Sequence, residues 1–225
     1  MSSAFNVQDA LALEDLTTYL GRAARVEDGS VRLIASGGIL AVYVAVLYPA
    51  GLLDESPTVL GLRTFSLPER EEFDVVVPVA SMLSRLERAK GESRDPAAAV
   101  RVSIPMQVNS VTWAAISPPR GGWTALAAPG ADVLDAIARA GIDEVATAIP
   151  TGTGEAIVHK VRSQVWGKPV PGFDYVPAGA AFAALSLGFL NPGDTVTVFE
   201  TGPWTRVTTR GGHVLIKRRA WSLAR

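Results

Sequence analysis

Residues 31–48 read VRLIASGGILAVYVAVLY, two runs of β-branched and aliphatic residues around a paired glycine at 37–38. Such runs favour extended backbone, and the glycines supply the positive φ of a tight turn, so the stretch predicts a β-hairpin. Two further strand-like runs follow, TVLGLRTFSL (58–67) and EFDVVV (72–77). Before the hairpin, Leu13, Leu16, Leu20 and Ala24 recur at helical spacing, with Glu14, Asp15 and Thr18 between them, predicting an amphipathic helix over about 9–24. After it, Pro78 is expected in the first turn of a second helix, with Val79, Met82, Leu83 and Leu86 on its buried face.

The stretch KGESRDPAA (90–98) has a linker's composition, and a domain boundary is expected there, dividing the chain into residues 1–97 and 98–225. The second part offers the strand-like runs AVRVSI and SVTWAAI, the turn PPRGG and the run WTALAA. Trp113 and Trp123 flank that turn and are expected to pack across a hairpin. Pro129 opens a helical region with Val133, Leu134 and Ile137 on its apolar face and Gly141 as its cap. A helix over about 154–166 follows, then a loop, GKPVPGFDYVP (167–177). AGAAFAALSLGFL (178–190) is apolar on every side and reads as a buried helix. TVTVFE, WTRVTT and HVLIKR, joined by TGP and RGG, predict a C-terminal three-stranded meander. Strands and helices do not alternate strictly, so the fold class is α+β: antiparallel sheets with packed helices in two domains.

The net charge of −1 conceals a gradient. Residues 1–97 carry 9 basic and 14 acidic side chains, whereas residues 98–225 carry 12 and 8. Thr201–Arg225 holds six cations, Arg206, Arg210, Lys217, Arg218, Arg219 and Arg225, and no acid. Strand alternation sets Arg206 and Thr208 on one face of the middle strand and Thr205 and Val207 on the other. Arg206, Arg210, Lys217, Arg218 and Arg219 are therefore candidates for binding an anionic partner. Two plainer accounts stand beside this: arginines that blunt a sheet edge, and cations that face the acidic first half. A winged helix-turn-helix is excluded, because the helix ahead of the strands carries Ser186 and no charge with which to read bases.

Other chemistries find little support. There is no cysteine, which removes disulfides, thiolate nucleophiles and iron–sulfur clusters. The histidines are His159 and His213, no HExxH occurs, and neither a metal nor a cofactor is expected. Glu155, His159, Arg162 and Trp166 share one stripe of the 154–166 helix, so Glu155 and His159 are the candidate carboxylate–imidazole pair for general base catalysis. No GxSxG accompanies them, and the stripe equally describes a solvated helix flank. Thr151-Gly-Thr-Gly-Glu155 lacks the lysine and spacing of a phosphate loop and reads as a capped helix start. Asp54-Glu55, Glu71-Glu72 and Asp143-Glu144 are adjacent acids whose side chains diverge. The first sixteen residues lack a signal peptide's basic and apolar regions, and the apolar stretch 39–53 is interrupted by Pro49 and Gly51, so a cytoplasmic protein with no membrane partner is expected. Seventeen arginines against four lysines point to a GC-rich bacterial genome.

The stretches TVLGLRTFSL, FDVVVPVASMLSRL, WAAISPPRGGW and FETGPWTRVTTRGGHVLIKRR together resemble a group of actinobacterial proteins built from two domains of unknown function. The resemblance implies a split near residue 97 and carries over no activity and no catalytic residue. The expected function is a non-catalytic binding or assembly protein, with another protein or a second copy of the chain as partner. The alternatives are a nucleic-acid or phosphate binder acting through the basic strands, and a small-molecule enzyme centred on Glu155 and His159.

Overall fold

Gly37 and Gly38 adopt φ of 61° and 83°, and on either side of them Ser36 pairs with Ile39, closing the expected hairpin of β2 (Ser30–Ser36) and β3 (Ile39–Leu47). Two positive φ values in succession suit the right-handed twist of the flanking strands. The computed structural model describes residues 4–218 except 28, 52, 53, 55, 109, 110, 116, 150, 151 and 153. The chain forms two compact units, one of residues 1–45 and 62–116, the other of residues 46–61 and 117–225.

In the first unit, β1 (Ala4–Val7) pairs antiparallel with β6 (Val100–Ser103). Helix α1 (Ala10–Val26) starts at Asp9, whose carboxylate accepts the Ala12 N–H at 2.8 Å. It buries Leu13, Leu16, Tyr19, Leu20 and Ala23. The fully buried Tyr19 donates its hydroxyl to the Val42 carbonyl, 3.3 Å away on β3. Strand β4 (Thr58–Ser66) and strand β5 (Phe73–Pro78) complete the strand order β5-β2-β3-β4, with Val31, Leu33 and Ala35 of β2 alternating into the core. Helix α2 (Val79–Glu92) buries Val79, Met82, Leu86 and Ala89 and packs on α1. Pro78 is its N-cap rather than a residue of its first turn. The stretch 90–98 lies inside this unit, between the end of α2 and β6. SVTWAAI, expected as a strand, instead holds a 3-10 turn at Thr112–Ala115 that buries Trp113 and Ala114. Trp113 therefore belongs to no strand, and the expected hairpin with Trp123 does not form.

The second unit is built around three helices, α3 (Ala131–Ala148), α4 (Glu155–Trp166) and α5 (Ala178–Ser186). Gly141 is not a cap but a buried mid-helix residue of α3. Val133 is 40% exposed, and the buried face of α3 runs instead through Leu134, Ala138 and Gly141. Helix α5 buries six of its nine residues, as its apolar composition requires, and ends four residues early where Gly188 turns the chain at φ 76°. The stretch 167–177 is not a loop throughout, since β8 (Pro169–Val170) and β9 (Phe173–Pro177) pair within it. The unit's strand order runs from the start of β4 through β12 (Gly212–Lys217), β11 (Trp204–Thr209) and β10 (Thr197–Thr201) to β7 (Thr124–Leu126). The last three strands of the chain form the expected antiparallel meander. Among the described residues, no helix is long and apolar enough to cross a membrane.

Candidate functional site

The meander has two unlike faces. Thr205, Val207 and Thr209 of β11 and Val214 and Ile216 of β12 are buried on one of them. The other carries Arg206 and Thr208, with Phe199 opposite Arg206 on β10 and Leu215 opposite it on β12. Trp123, two residues before Ala125 of β7, shares this face, because Ala125 pairs with Phe199. The result is a cation between two rings. The Arg206 guanidinium carbon lies 4.5 Å from the Trp123 ring centre and 4.7 Å from that of Phe199. Trp123 is itself fixed by its indole N–H, which donates to the Pro119 carbonyl at 3.2 Å.

Arg206 Nε is buried without an acceptor. Burial also lowers the guanidinium's pKa from its ordinary value, and the ring quadrupoles offset part of the cost of a half-buried cation. His213 sits diagonally across from Arg206, and its Nδ1 is 3.0 Å from the Thr208 hydroxyl. Burial first, and the Arg206 charge second, lower the His213 pKa below 6.5. A folded pKa below the unfolded one means that the unfolded chain takes up the proton first on acidification. His213 thus contributes stability that is complete above about pH 6.5 and lost as the pH falls through its folded value. Thermal melts at pH 7.5 and 5.5 are expected to show a smaller difference for His213→Gln than for the unsubstituted protein; equal differences would refute this.

The described basic residues differ in their surroundings. Arg218 Nη2 is 3.1 Å from Glu200 Oε2 and from the Gly202 carbonyl, so this cation is spoken for. Lys217 pairs with Trp204 and shares the face of Arg206, half-exposed. Arg210 is exposed in the turn between β11 and β12. Arg219 lies outside the described residues.

The second candidate is assembled differently from its expected form. Glu155 is exposed in the first turn of α4, while His159 Nε2 is 3.6 Å from Oδ2 of Asp54, a residue far away in sequence. Asp54 also accepts the Ala50 N–H at 2.7 Å, the Ser56 N–H at 2.9 Å and the Ser56 hydroxyl at 2.5 Å. Burial acts to raise the Asp54 pKa, but these hydrogen bonds and the nearby His159 outweigh it and hold it below its ordinary value. The Ser56 hydroxyl also meets that of Ser163 on α4. The Ser56 hydroxyl is bonded to Asp54 and to Ser163, so among the described residues this histidine–carboxylate pair shows no hydroxyl bonded to the imidazole. Thr151 and Thr153 of the glycine-rich stretch lie outside the described residues, and no metal-binding cluster occurs among the described ones.

Residues 1–106 match one domain of unknown function (DUF8010) and residues 118–221 another (DUF8185). Together these two domains cover most of the chain, consistent with a two-domain family. No curated protein matches it. Among solved structures it is similar to the DnaN sliding clamp (DNA polymerase III subunit beta) from Bartonella birtlesii, at 14% identity and a TM-score of 0.50 over 96% of this chain and 64% of that one. The DNA polymerase sliding clamps from Caulobacter crescentus (13%, TM-score 0.48, 98% and 67%) and Pseudomonas aeruginosa (15%, 0.47, 98% and 65%) are also similar. The Bartonella likeness is one of fold, and this chain spans 64% of that clamp's length.

Proposed function

We propose that this chain is a non-catalytic binding protein that takes an anionic partner on the Arg206 face of its C-terminal meander. One observation carries the reading: a half-buried guanidinium held against two rings, whose buried Nε has no acceptor. An anionic partner on the Nη groups would offset the cost of that poorly compensated charge. Lys217 and Arg210 add positive charge nearby, whereas Arg218 is already paired.

The clamps' printed names concern DNA, but helices α1, α2 and α3 of this chain do not favour a phosphate backbone. Glu14 and Asp15 balance Arg22 and Arg25 on α1, and Glu87 and Glu92 offset two of Arg85, Arg88 and Lys90 on α2. On α3, Asp132, Asp135, Asp143 and Glu144 outnumber Arg139. Such helices lack the concentrated cations from which counterion release draws affinity.

The test measures binding of labelled poly-L-glutamate and labelled oligothymidylate to the full chain at 25 and 300 mM salt. Binding of polyglutamate, stronger than that of oligothymidylate and weakened by salt, is the expected result. Failure of both polyanions to bind at low salt would sink the proposal. Light scattering at the same two salt concentrations separates a heterologous partner from a second copy, whose residues 1–97 carry a net charge of −5.

A further inference from the structure

Building on the reading of the Arg206 face as an anion-binding surface, we infer that Arg206 is a carboxylate fork for acidic side chains spaced two residues apart on an extended segment of a partner protein. The guanidinium lies against two rings, Trp123 at 4.5 Å and Phe199 at 4.7 Å, and these restrict the directions from which a partner can reach it. Nε is buried, which leaves the edge formed by the two Nη groups. Parallel N–H donors on a fixed plane match the two oxygens of a carboxylate, and stacking removes much of the side-chain freedom that binding would otherwise cost.

The occupant follows from the surroundings. Arg206 lies over one face of Trp123 and one face of Phe199, which leaves less aromatic platform for a nucleobase. Lys217 stands on the same face, two positions along β12 from Leu215, the residue opposite Arg206. Diagonal neighbours in an antiparallel pair lie about 7–8 Å apart. Alternate side chains of an extended peptide are separated by about 6.8 Å. By strand register, acidic residues at alternate positions of an extended segment match the spacing at which Arg206 and Lys217 leave the sheet. The nearby carboxylate of Glu200 does not compete, since it pairs with Arg218.

The probe is a fluorescein-labelled decapeptide with glutamate at alternate positions. It is compared with its glutamine counterpart and with an oligothymidylate of equal charge, all titrated into the full chain. The glutamate peptide is expected to bind about tenfold or more tightly than the glutamine peptide, consistent with charge-assisted bidentate pairing. Arg206→Lys keeps the charge but loses the fork and is expected to forfeit most of that preference, as is Phe199→Leu through loss of the stack. Circular dichroism and melting temperature establish that the variants fold. In the unsubstituted protein, the peptide is expected to shift the His213 ring resonances. Full affinity in Arg206→Lys, no movement at His213, or tighter binding of oligothymidylate than of the peptide would each overturn the fork. If polyglutamate still binds in the first two of these cases, the anionic-partner reading survives without the fork. If no polyanion binds, both fall.

Discussion

Trp166→Ala is expected to lower the unfolding free energy by about 3–5 kcal/mol, the range for removing a large aromatic side chain from a packed core. Trp166 ends α4 with 2% of its surface exposed. Its ring stacks on Phe182 of α5 at 4.3 Å and 16°. It also lies against Gly141 of α3, where a Cβ would meet the ring at 2.3 and 2.7 Å. On α5, a Cβ at Gly179 would stand 3.2 Å from Trp166 Cβ and 3.0 Å from its carbonyl oxygen. One tryptophan thus sits at the junction of three helices: its indole meets α3 at Gly141 and α5 at Phe182, while Gly179 lets α5 approach its backbone. Truncation would leave a void that neither glycine can fill. Urea unfolding followed by circular dichroism measures the loss, and a change below about 1 kcal/mol would mean that the helices close over the gap. The converse substitution sharpens the test. Alanine at 141 gains about 1 kcal/mol of helix propensity, but the ring contact is expected to reverse this by about 1–3 kcal/mol of overpacking. In the Trp166→Ala background the same substitution should become stabilising, and additive effects of the two would refute the contact.

That glycine also marks a limit of what could be read in the sequence. Glycine late in an apolar helical pattern is ordinarily a cap, and only the position of Trp166, 25 residues on, makes it a mid-helix contact. Where local periodicity was decisive, the fold was legible: the hairpin from its glycine pair, α1 from its leucine spacing, the meander from its alternation. SVTWAAI misled because β-branched and aromatic residues favour strands, whereas tertiary contacts hold Trp113 and Ala114 in a 3-10 turn. The candidate site was half legible. The charge distribution singled out Arg206, but its rings depend on strand register, since Phe199 faces it from β10 and Trp123 reaches it from beside β7. Alternation along TVTVFE was the available signal for Phe199. Asp54 as the carboxylate of His159 had no signal in the sequence, because helical spacing offers only neighbours such as Glu155.

The 3-10 turn that the sequence concealed supplies the other large expected effect. Arg32→Met is expected to cost about 2–3 kcal/mol, most of it from an orphaned carbonyl and less from a broken ion pair. Arg32 of β2 sends Nε and Nη2 to Asp74 at 2.8 and 2.6 Å, and Nη1 to the Ala114 carbonyl at 2.7 Å. Register accounts for the first contact: Arg32 pairs with Val76 and Ile34 with Asp74, so Arg32 and Asp74 are diagonal neighbours on one sheet face. Hydrogen bonding to Asp74 raises the Arg32 pKa from its ordinary value, so the guanidinium is charged at any ordinary pH. The two ends of the ion pair differ in exposure, 15% for the Arg32 side chain and 49% for that of Asp74. Once released, the aspartate can rehydrate, and its share of the energy is that of a screened surface pair, about 0–1 kcal/mol. The Ala114 carbonyl belongs to a buried residue of a short turn and loses a charged donor. Asp74→Asn should therefore cost under about 1 kcal/mol, while Arg32→Met should also speed hydrogen exchange at the Ala114 amide, which closes the turn on the Val111 carbonyl. Equal costs for the two substitutions, with Ala114 exchange unchanged, would assign the energy to the ion pair and leave the turn anchored by its own packing.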